Sequence, residues 1–252
     1  MRLFLFAVSL IVLFPPVGRA QEKGKTSQVV FAVSESWQST DGKLSAIAFR
    51  ENVWKIAFRD IPVTFGRAGT GIGIGLHSDK LSGPGKREGD KRAPAGVFPL
   101  EFSFGTVIES HHGATGMRYE RTSPTHFWVD DPESRFYNQW VDTASPRIEK
   151  DWNSAEILRR KDGLYDLVIV VGHNRRSPVV RGGGSAIFMH RWSAPGRPTI
   201  GCTAMAADDL SRLWKWLDAK KSPVLIQGPV DFVRKLDLPP VPEGLLAEIL
   251  RP

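Results

Sequence analysis

Residues 185–205 read SAIFMHRWSAPGRPTIGCTAM, and this stretch decides how the rest of the chain is interpreted. It holds Cys202, the single cysteine of the chain, and His190, which lies twelve positions earlier. The apolar run at 185–190 predicts a strand that ends at the histidine, and the Pro- and Gly-rich residues after it predict a loop that ends at the cysteine. With this spacing, the two side chains can meet at the edge of a sheet.

Cysteine and histidine are the residue types that nucleophilic catalysis requires. The thiolate is the reactive form of cysteine, so the thiol needs a base that removes its proton. We therefore predict Cys202 as the nucleophile and His190 as the general base and acid. The backbone N–H groups of Ile200, Gly201 and Cys202 are the predicted oxyanion hole. The alternative is an inert buried thiol, because free cysteine also packs as a small apolar side chain.

The N-terminal residues have the pattern of a secretory signal peptide. Arg2 precedes an apolar run at 3–14, and small residues at 18–20 follow as a cleavage site. The run is shorter than the roughly 20 residues that span a bilayer, which disfavours an uncleaved membrane anchor. We predict a signal peptide at 1–20, a disordered leader at 21–28, and a periplasmic or extracellular envelope protein with no later integral membrane segment. A lone cysteine in an exported chain is an intermolecular link or a reactive thiol.

The composition is that of a soluble globular protein. The chain has 252 residues, of which 41% are hydrophobic and 24% charged, enough for one large domain. The 24 Gly and 18 Pro residues follow no repeat and favour a strand- and loop-rich fold. The net charge is +7, but the basic residues are scattered, so nucleic-acid binding is not predicted. The oligomeric state stays open.

Short apolar runs separated by turn residues predict one mostly-β domain at 29–230 and a C-terminal extension at 231–252. The predicted strands lie at 29–33, 44–49, 53–58, 61–65, 97–104, 165–171, 185–190 and 224–226. Helices are predicted at 154–160, 208–217 and 243–250. A long loop is predicted at 66–95, and residues 110–160 are predicted to form an insertion of short helices and loops that covers the site as a lid.

Four blocks in order carry a family resemblance. They are KREGDKRAPAGVF at 86–98, GHN at 172–174, GSAIFMH at 184–190 and TIGCTA at 199–204. Together they resemble the L,D-transpeptidase catalytic domain (YkuD-like) family. The resemblance implies a β-sandwich with a few short helices, a catalytic cysteine in a cleft under a lid, no cofactor, and acylation of the cysteine by carbapenems.

The resemblance also implies a reaction on peptidoglycan stem peptides. The thiolate attacks the amide between the third and fourth residues, the terminal D-alanine leaves, and the thioester is taken by the side-chain amine of a second stem to form a 3→3 crosslink. Two alternatives remain open. Water as the acceptor gives an L,D-carboxypeptidase or a hydrolase of peptidoglycan-linked peptides, and loss of catalysis gives a peptidoglycan-binding module.

Two positions depart from the family pattern. Ile200 stands where the family has a histidine before Gly-Cys, and Ala204 stands where it has Arg or Asn. His190 is then the base by itself, oriented by a backbone carbonyl such as that of Arg191. Arg191, Arg197 or Arg181 is predicted to replace the missing Arg or Asn, and Arg191 is the predicted substrate contact.

Further polar residues near these blocks are predicted substrate contacts, namely His173, Asn174 and Ser185. For the first two, the alternative is that they satisfy backbone groups at the end of a strand. No metal site is predicted, because the pair His111-His112 has no third ligand at metal-site spacing.

Overall fold

Strands dominate the chain, as the short apolar runs predict. The structure, a computed structural model, describes residues 26–78, 80–107 and 116–251. The strands are β1 (Gln28–Ser34), β2 (Asp41–Arg50), β3 (Val53–Thr64), β4 (Thr70–Ile72), β5 (Ala93–Gly105), β6 (Tyr119–Arg121), β7 (His126–Val129), β8 (Trp140–Asp142), β9 (Ala155–Ile157), β10 (Leu167–Val171), β11 (Phe188–Arg191), β12 (Thr203–Met205) and β13 (Val224–Pro229). The helices are α1 (Ala207–Trp216), α2 (Val230–Val233) and α3 (Glu243–Ile249), with a 3₁₀ helix at Ala219–Lys221.

The main sheet has ten strands and closes on itself. Its order is β10-β11-β12-β3-β2-β1-β13-β5-β4, and β6 pairs with β5. The first part of β5 pairs with β13, and its second part pairs with β10. A long strand that changes partner in this way makes the corner between two packed layers. The mostly-β, sandwich-like fold with few helices is therefore confirmed.

Helix α1 covers the core between the layers. Leu210, Leu213 and Trp214 recur at helical spacing and are buried, so the prediction from the 3.6-residue period is confirmed. Trp214 Nε1 donates to Ser103 Oγ at 2.8 Å, which ties the helix to β5. The helix follows directly on β12, so the chain from the cysteine to the helix is short and well anchored.

The insertion contains strands rather than helices. β7 lies between β8 and β9 in a three-stranded antiparallel sheet. The helix predicted at 154–160 is therefore wrong, because residues 155–157 pair with the edge of β7 instead of forming local hydrogen bonds. The insertion reaches the main sheet through Trp128, whose ring lies 5.1 Å from that of Phe188 on β11.

Buried side chains tie both ends of the described chain to the main sheet. Gln28, placed in the leader, begins β1 and is fully buried. Its side chain bonds the carbonyl of Trp216 at 2.8 Å and the N–H of Asp218 at 2.9 Å. The C-terminal extension packs on the sheet through buried apolar residues including Phe232, Val233 and Ile249.

Some predictions concern residues that the structure does not describe. The signal peptide at 1–20, residues 21–25 of the leader, and His111-His112 lie outside the described residues. Within the described ranges, no helix combines the length and apolar character needed to cross a bilayer.

Candidate active site

Strands β11 and β12 bring His190 and Cys202 onto one face of the sheet. The two strands are parallel, with His190 opposite Ala204. Cys202 directly precedes β12 and packs with Phe188, which faces the same side of β11 as His190 because side chains alternate along a strand. Cys202 packs with Val168 and Tyr165, and both of these neighbour His190, the first by strand register and the second with ring centroids 5.5 Å apart.

The His190 ring is held in one tautomer. Its Nδ1 lies 2.7 Å from the carbonyl oxygen of Arg191, and a carbonyl only accepts, so Nδ1 carries the proton and Nε2 is left as an acceptor. The expected orienting carbonyl of Arg191 is thus present. Burial lowers the pKa of His190 to about 4, so the ring is neutral at pH 7 and can act as a base.

The Cys202 thiol is neutral in this arrangement. Burial raises the pKa of the Cys202 thiol to about 12. A hydrogen bond with the backbone of Phe188 lowers this pKa, whereas the negative charge of Glu156 raises it. Its Sγ donates to Ala186 O at 3.6 Å. Within the part of the chain that the structure describes, no hydrogen bond joins Sγ to His190. The S–H group therefore has to turn away from Ala186 O before Sγ can pass its proton to the imidazole.

Residues 199–202 form a loop, here called the nucleophile loop because it carries the predicted nucleophile. The Thr199 side chain holds this loop in place. Thr199 Oγ1 donates to Cys202 O at 2.6 Å and accepts from the Gly201 N–H at 3.1 Å. Gly201 has φ +147°, a conformation that residues with a Cβ rarely adopt. The loop therefore depends on both the hydroxyl group and the glycine.

The Gly201 N–H, one of the predicted oxyanion donors, is already paired within the loop. It donates to Thr199 instead of pointing at a site for substrate. The N–H groups of Ile200 and Cys202 have no hydrogen-bond partner among the described residues, and they are the two remaining candidates. The Ile200 side chain is 69% exposed, so an apolar group flanks the cysteine where the family has histidine.

His173 and Asn174 support the backbone, which is the alternative considered for them. His173 is buried; its Nδ1 accepts from the Ile74 N–H at 3.1 Å, and its Nε2 bonds Gly183 O at 3.0 Å. Asn174 Nδ2 donates to the carbonyls of Val180 and Gly184. These polar atoms are already bonded within the protein, and a substrate contact by His173 or Asn174 stays a prediction.

Ser185 and Arg191 are likewise engaged with the protein. Ser185 is buried and donates to Glu88 Oε2 at 2.6 Å. The Arg191 guanidinium donates to the carbonyls of Gly163 at 2.7 Å and Asp162 at 2.6 Å. A substrate carboxylate would have to compete with these bonds, and a substrate contact by Ser185 or Arg191 stays a prediction.

Sequence reasoning missed two acidic side chains: Glu156, whose charge acts on the Cys202 thiol, and Asp130, whose charge acts on Glu156. Glu156 lies on β9 and Asp130 directly follows β7. Burial raises the pKa of each carboxyl group. The charge of Asp130 raises the pKa of Glu156 further, and the charge of Glu88 raises the pKa of both. The Asp130 Oδ1 atom is buried and has no partner among the described residues. The residues are far apart in the sequence, so no local pattern points to them.

Metal binding has no support in the described residues. They contain no group of three or more His, Cys, Asp or Glu side chains arranged to hold a metal ion.

Comparisons with known proteins identify the family. The model of the L,D-transpeptidase catalytic domain (YkuD) matches residues 47–226, whereas no curated protein matches the chain. Among solved structures, the chain is similar to the helical cell shape determining protein Pgp2 from Campylobacter jejuni, with 12% identity and a TM-score of 0.35, over 82% of this chain and 52% of that one. The chain thus spans about half the length of that structure. The family match covers more than half of the chain and includes both His190 and Cys202, and the chain therefore belongs to the L,D-transpeptidase catalytic domain family.

Proposed function

We propose that this chain is a cysteine-dependent L,D-transpeptidase of the cell envelope that acts on peptidoglycan stem peptides. Cys202 attacks the carbonyl of the amide between the third and fourth residues of a stem. The C–N bond breaks, the terminal residue leaves as an amine, and a thioester forms. A side-chain amine of a second stem then attacks the thioester, which releases the thiol and forms a 3→3 crosslink.

The arrangement of His190 and Cys202 carries the proposal. The two side chains share the neighbour Tyr165, and the imidazole is neutral, with Nε2 left as the acceptor. A neutral thiol beside a neutral imidazole suits proton transfer during the attack, after which the imidazolium can protonate the leaving amine. The Ile200 and Cys202 N–H groups are proposed to stabilise the oxyanion.

The carboxylate of Glu156, which acts on the Cys202 thiol, and that of Asp130, which acts on Glu156, favour an amine acceptor over water. An amine arrives mostly as an ammonium ion and must lose a proton before it attacks. Glu156 and Asp130 supply negative charge that attracts a cation, and their raised pKa values make them better proton acceptors than ordinary carboxylates. This favours a transpeptidase, with a carboxypeptidase as the outcome if water is used instead.

The test uses disaccharide-tetrapeptide as the substrate and follows both intact protein mass and products. We expect an acyl adduct and dimeric product with the mature protein, and neither with Cys202→Ala. A carbapenem should add its mass to the wild type and block turnover. His190→Ala should abolish turnover, whereas His126→Gln, which changes a histidine paired with Asp142 in the insertion, should keep it.

The products decide between the functions. Tripeptide without dimer would assign a carboxypeptidase. Binding of the tetrapeptide with no adduct and no product would refute both enzymes and leave a peptidoglycan-binding module. Substantial turnover in His190→Ala would refute its role as the base.

A further inference from the structure

The Cys202 thiol is held by the chain just before β11. Its hydrogen-bond acceptor is Ala186 O, at 3.6 Å. Ala186 has φ +51°, a left-handed conformation that is unfavourable for a residue with a Cβ. Such residues persist where the surrounding structure imposes them, and they concentrate at functional sites. Neighbouring residues must therefore hold Ala186 in this backbone conformation.

Asn138 supplies the restraint. Its Oδ1 accepts from the Ala186 N–H at 3.2 Å and from Trp128 Nε1 at 2.9 Å. Its Nδ2 donates to the carbonyls of Asn174 at 2.8 Å and His173 at 3.2 Å. Both oxygen partners can only donate and both nitrogen partners can only accept, so the amide has one permitted orientation. Asn138 is 1% exposed, and water does not compete for these bonds.

The neighbouring Tyr137 restrains the same segment at a second point. Its hydroxyl accepts from the Gly184 N–H at 3.1 Å and donates to Glu88 Oε2 at 2.6 Å. Residues 137 and 138 lie between β7 and β8, so the insertion determines the path of residues 184–186 into β11.

We propose that Asn138 is a positioning residue for the nucleophile: it keeps Ala186 in the left-handed conformation, and the Ala186 carbonyl thereby holds the Cys202 thiol in its neutral, oriented form. The proposal rests on the proposed role of Cys202. A hydrogen bond from the thiol to a carbonyl stabilises the protonated form, in the same direction as the burial that raises the pKa of Cys202. If the Ala186 carbonyl no longer bonds the thiol, the pKa of Cys202 should fall and the thiol should be less well oriented. Alkylation should then become faster, whereas turnover should become slower.

The test measures the rate of alkylation of the folded protein by iodoacetamide as a function of pH. In Asn138→Ala, we expect the profile to move toward neutral pH by about one unit, which is about a tenfold faster reaction at a fixed pH below the thiol pKa. Turnover of stem peptide should fall in the same variant. Asn153→Ala is the matched control, because Asn153 lies in the same insertion and bonds Asp131 rather than Ala186; its profile should match the wild type.

A second substitution, at Ala186, distinguishes this positioning role of Asn138 from a general loss of rigidity in the protein. Glycine adopts positive φ freely, so Asn138→Ala with Ala186→Gly should move the profile back toward the wild type. Asn138→Ala leaves several buried polar groups unpaired and could prevent folding. Ala186→Val disfavours the left-handed conformation while Asn138 stays intact, so it should shift the alkylation profile in the same direction as Asn138→Ala. If Asn138→Ala does not fold, Ala186→Val decides the question.

A wild-type profile in Ala186→Val, or a double variant shifted as far as Asn138→Ala, would overturn the proposal. The assay uses no stem peptide. A wild type that alkylates as expected but turns over no peptidoglycan would refute the proposed function and leave this inference standing.

Discussion

The hydroxyl of Thr199 gives a sharp test of how the nucleophile loop is held. Thr199→Val replaces the hydroxyl by a methyl group of similar size. It removes the bond to Cys202 O at 2.6 Å and the bond from the Gly201 N–H at 3.1 Å. Thr199 is 9% exposed, and Gly201 is buried, so water replaces these bonds poorly.

The magnitude follows from these two bonds. Each contributes about 1 kcal/mol, and a buried unpaired N–H adds a penalty of similar size, so the free energy of unfolding should fall by about 2–3 kcal/mol. With a urea m-value of ~2–3 kcal/mol/M, the midpoint should fall by ~1 M. Turnover should fall as well, because the Cys202 carbonyl loses its anchor.

Thr199→Ser is the matched control, since it keeps the hydroxyl and loses only a methyl group, at a cost of about 0.8 kcal/mol. Urea unfolding followed by circular dichroism compares the three proteins. The reasoning is refuted if the valine variant loses no more stability than the serine variant. It is also refuted if the valine variant turns over faster, since the freed Gly201 N–H would then serve catalysis better than the brace does.

Three further predictions concern charge and packing. His190 has a pKa of about 4 in the folded protein, against an ordinary value of 6.5. As the pH falls, the unfolded chain therefore binds a proton on His190 before the folded protein does. The free energy of unfolding should fall by ~3 kcal/mol as the pH drops from about 6.5 through 4. Urea titrations across this range should show a smaller fall in His190→Gln, and a wild-type curve that stays level would contradict the assignment. Glu156→Gln removes a charge that raises the pKa of Cys202, so alkylation near pH 8 should become faster. A slower reaction would show that this charge does not raise the pKa of the thiol. Trp214→Phe loses the buried bond to Ser103 and should lower the free energy of unfolding by ~2 kcal/mol with turnover retained; lost turnover at full stability would place Trp214 in the site.

Local sequence was enough for several strands, for helix α1 and for the candidate pair. The strand and helix periods depend on neighbouring residues, so β1, β13 and α1 lie close to where the apolar patterns predict them. A single cysteine at the end of a Gly-containing loop, twelve residues after a histidine, was enough to select Cys202 and His190 as candidates. These features are visible because the residues that produce them are close together in the chain.

The environment of the pair was decided by the tertiary structure. β9 became a strand because β7 offered it a pairing edge. Asn138 contacts Ala186 across 48 positions of sequence, and Glu156 acts on Cys202 from a different sheet. Burial, hydrogen-bond partners and pKa depend on which distant segments pack around a group. The sequence by itself therefore determined the candidate residues, and only the folded chain determined their orientation and their protonation states.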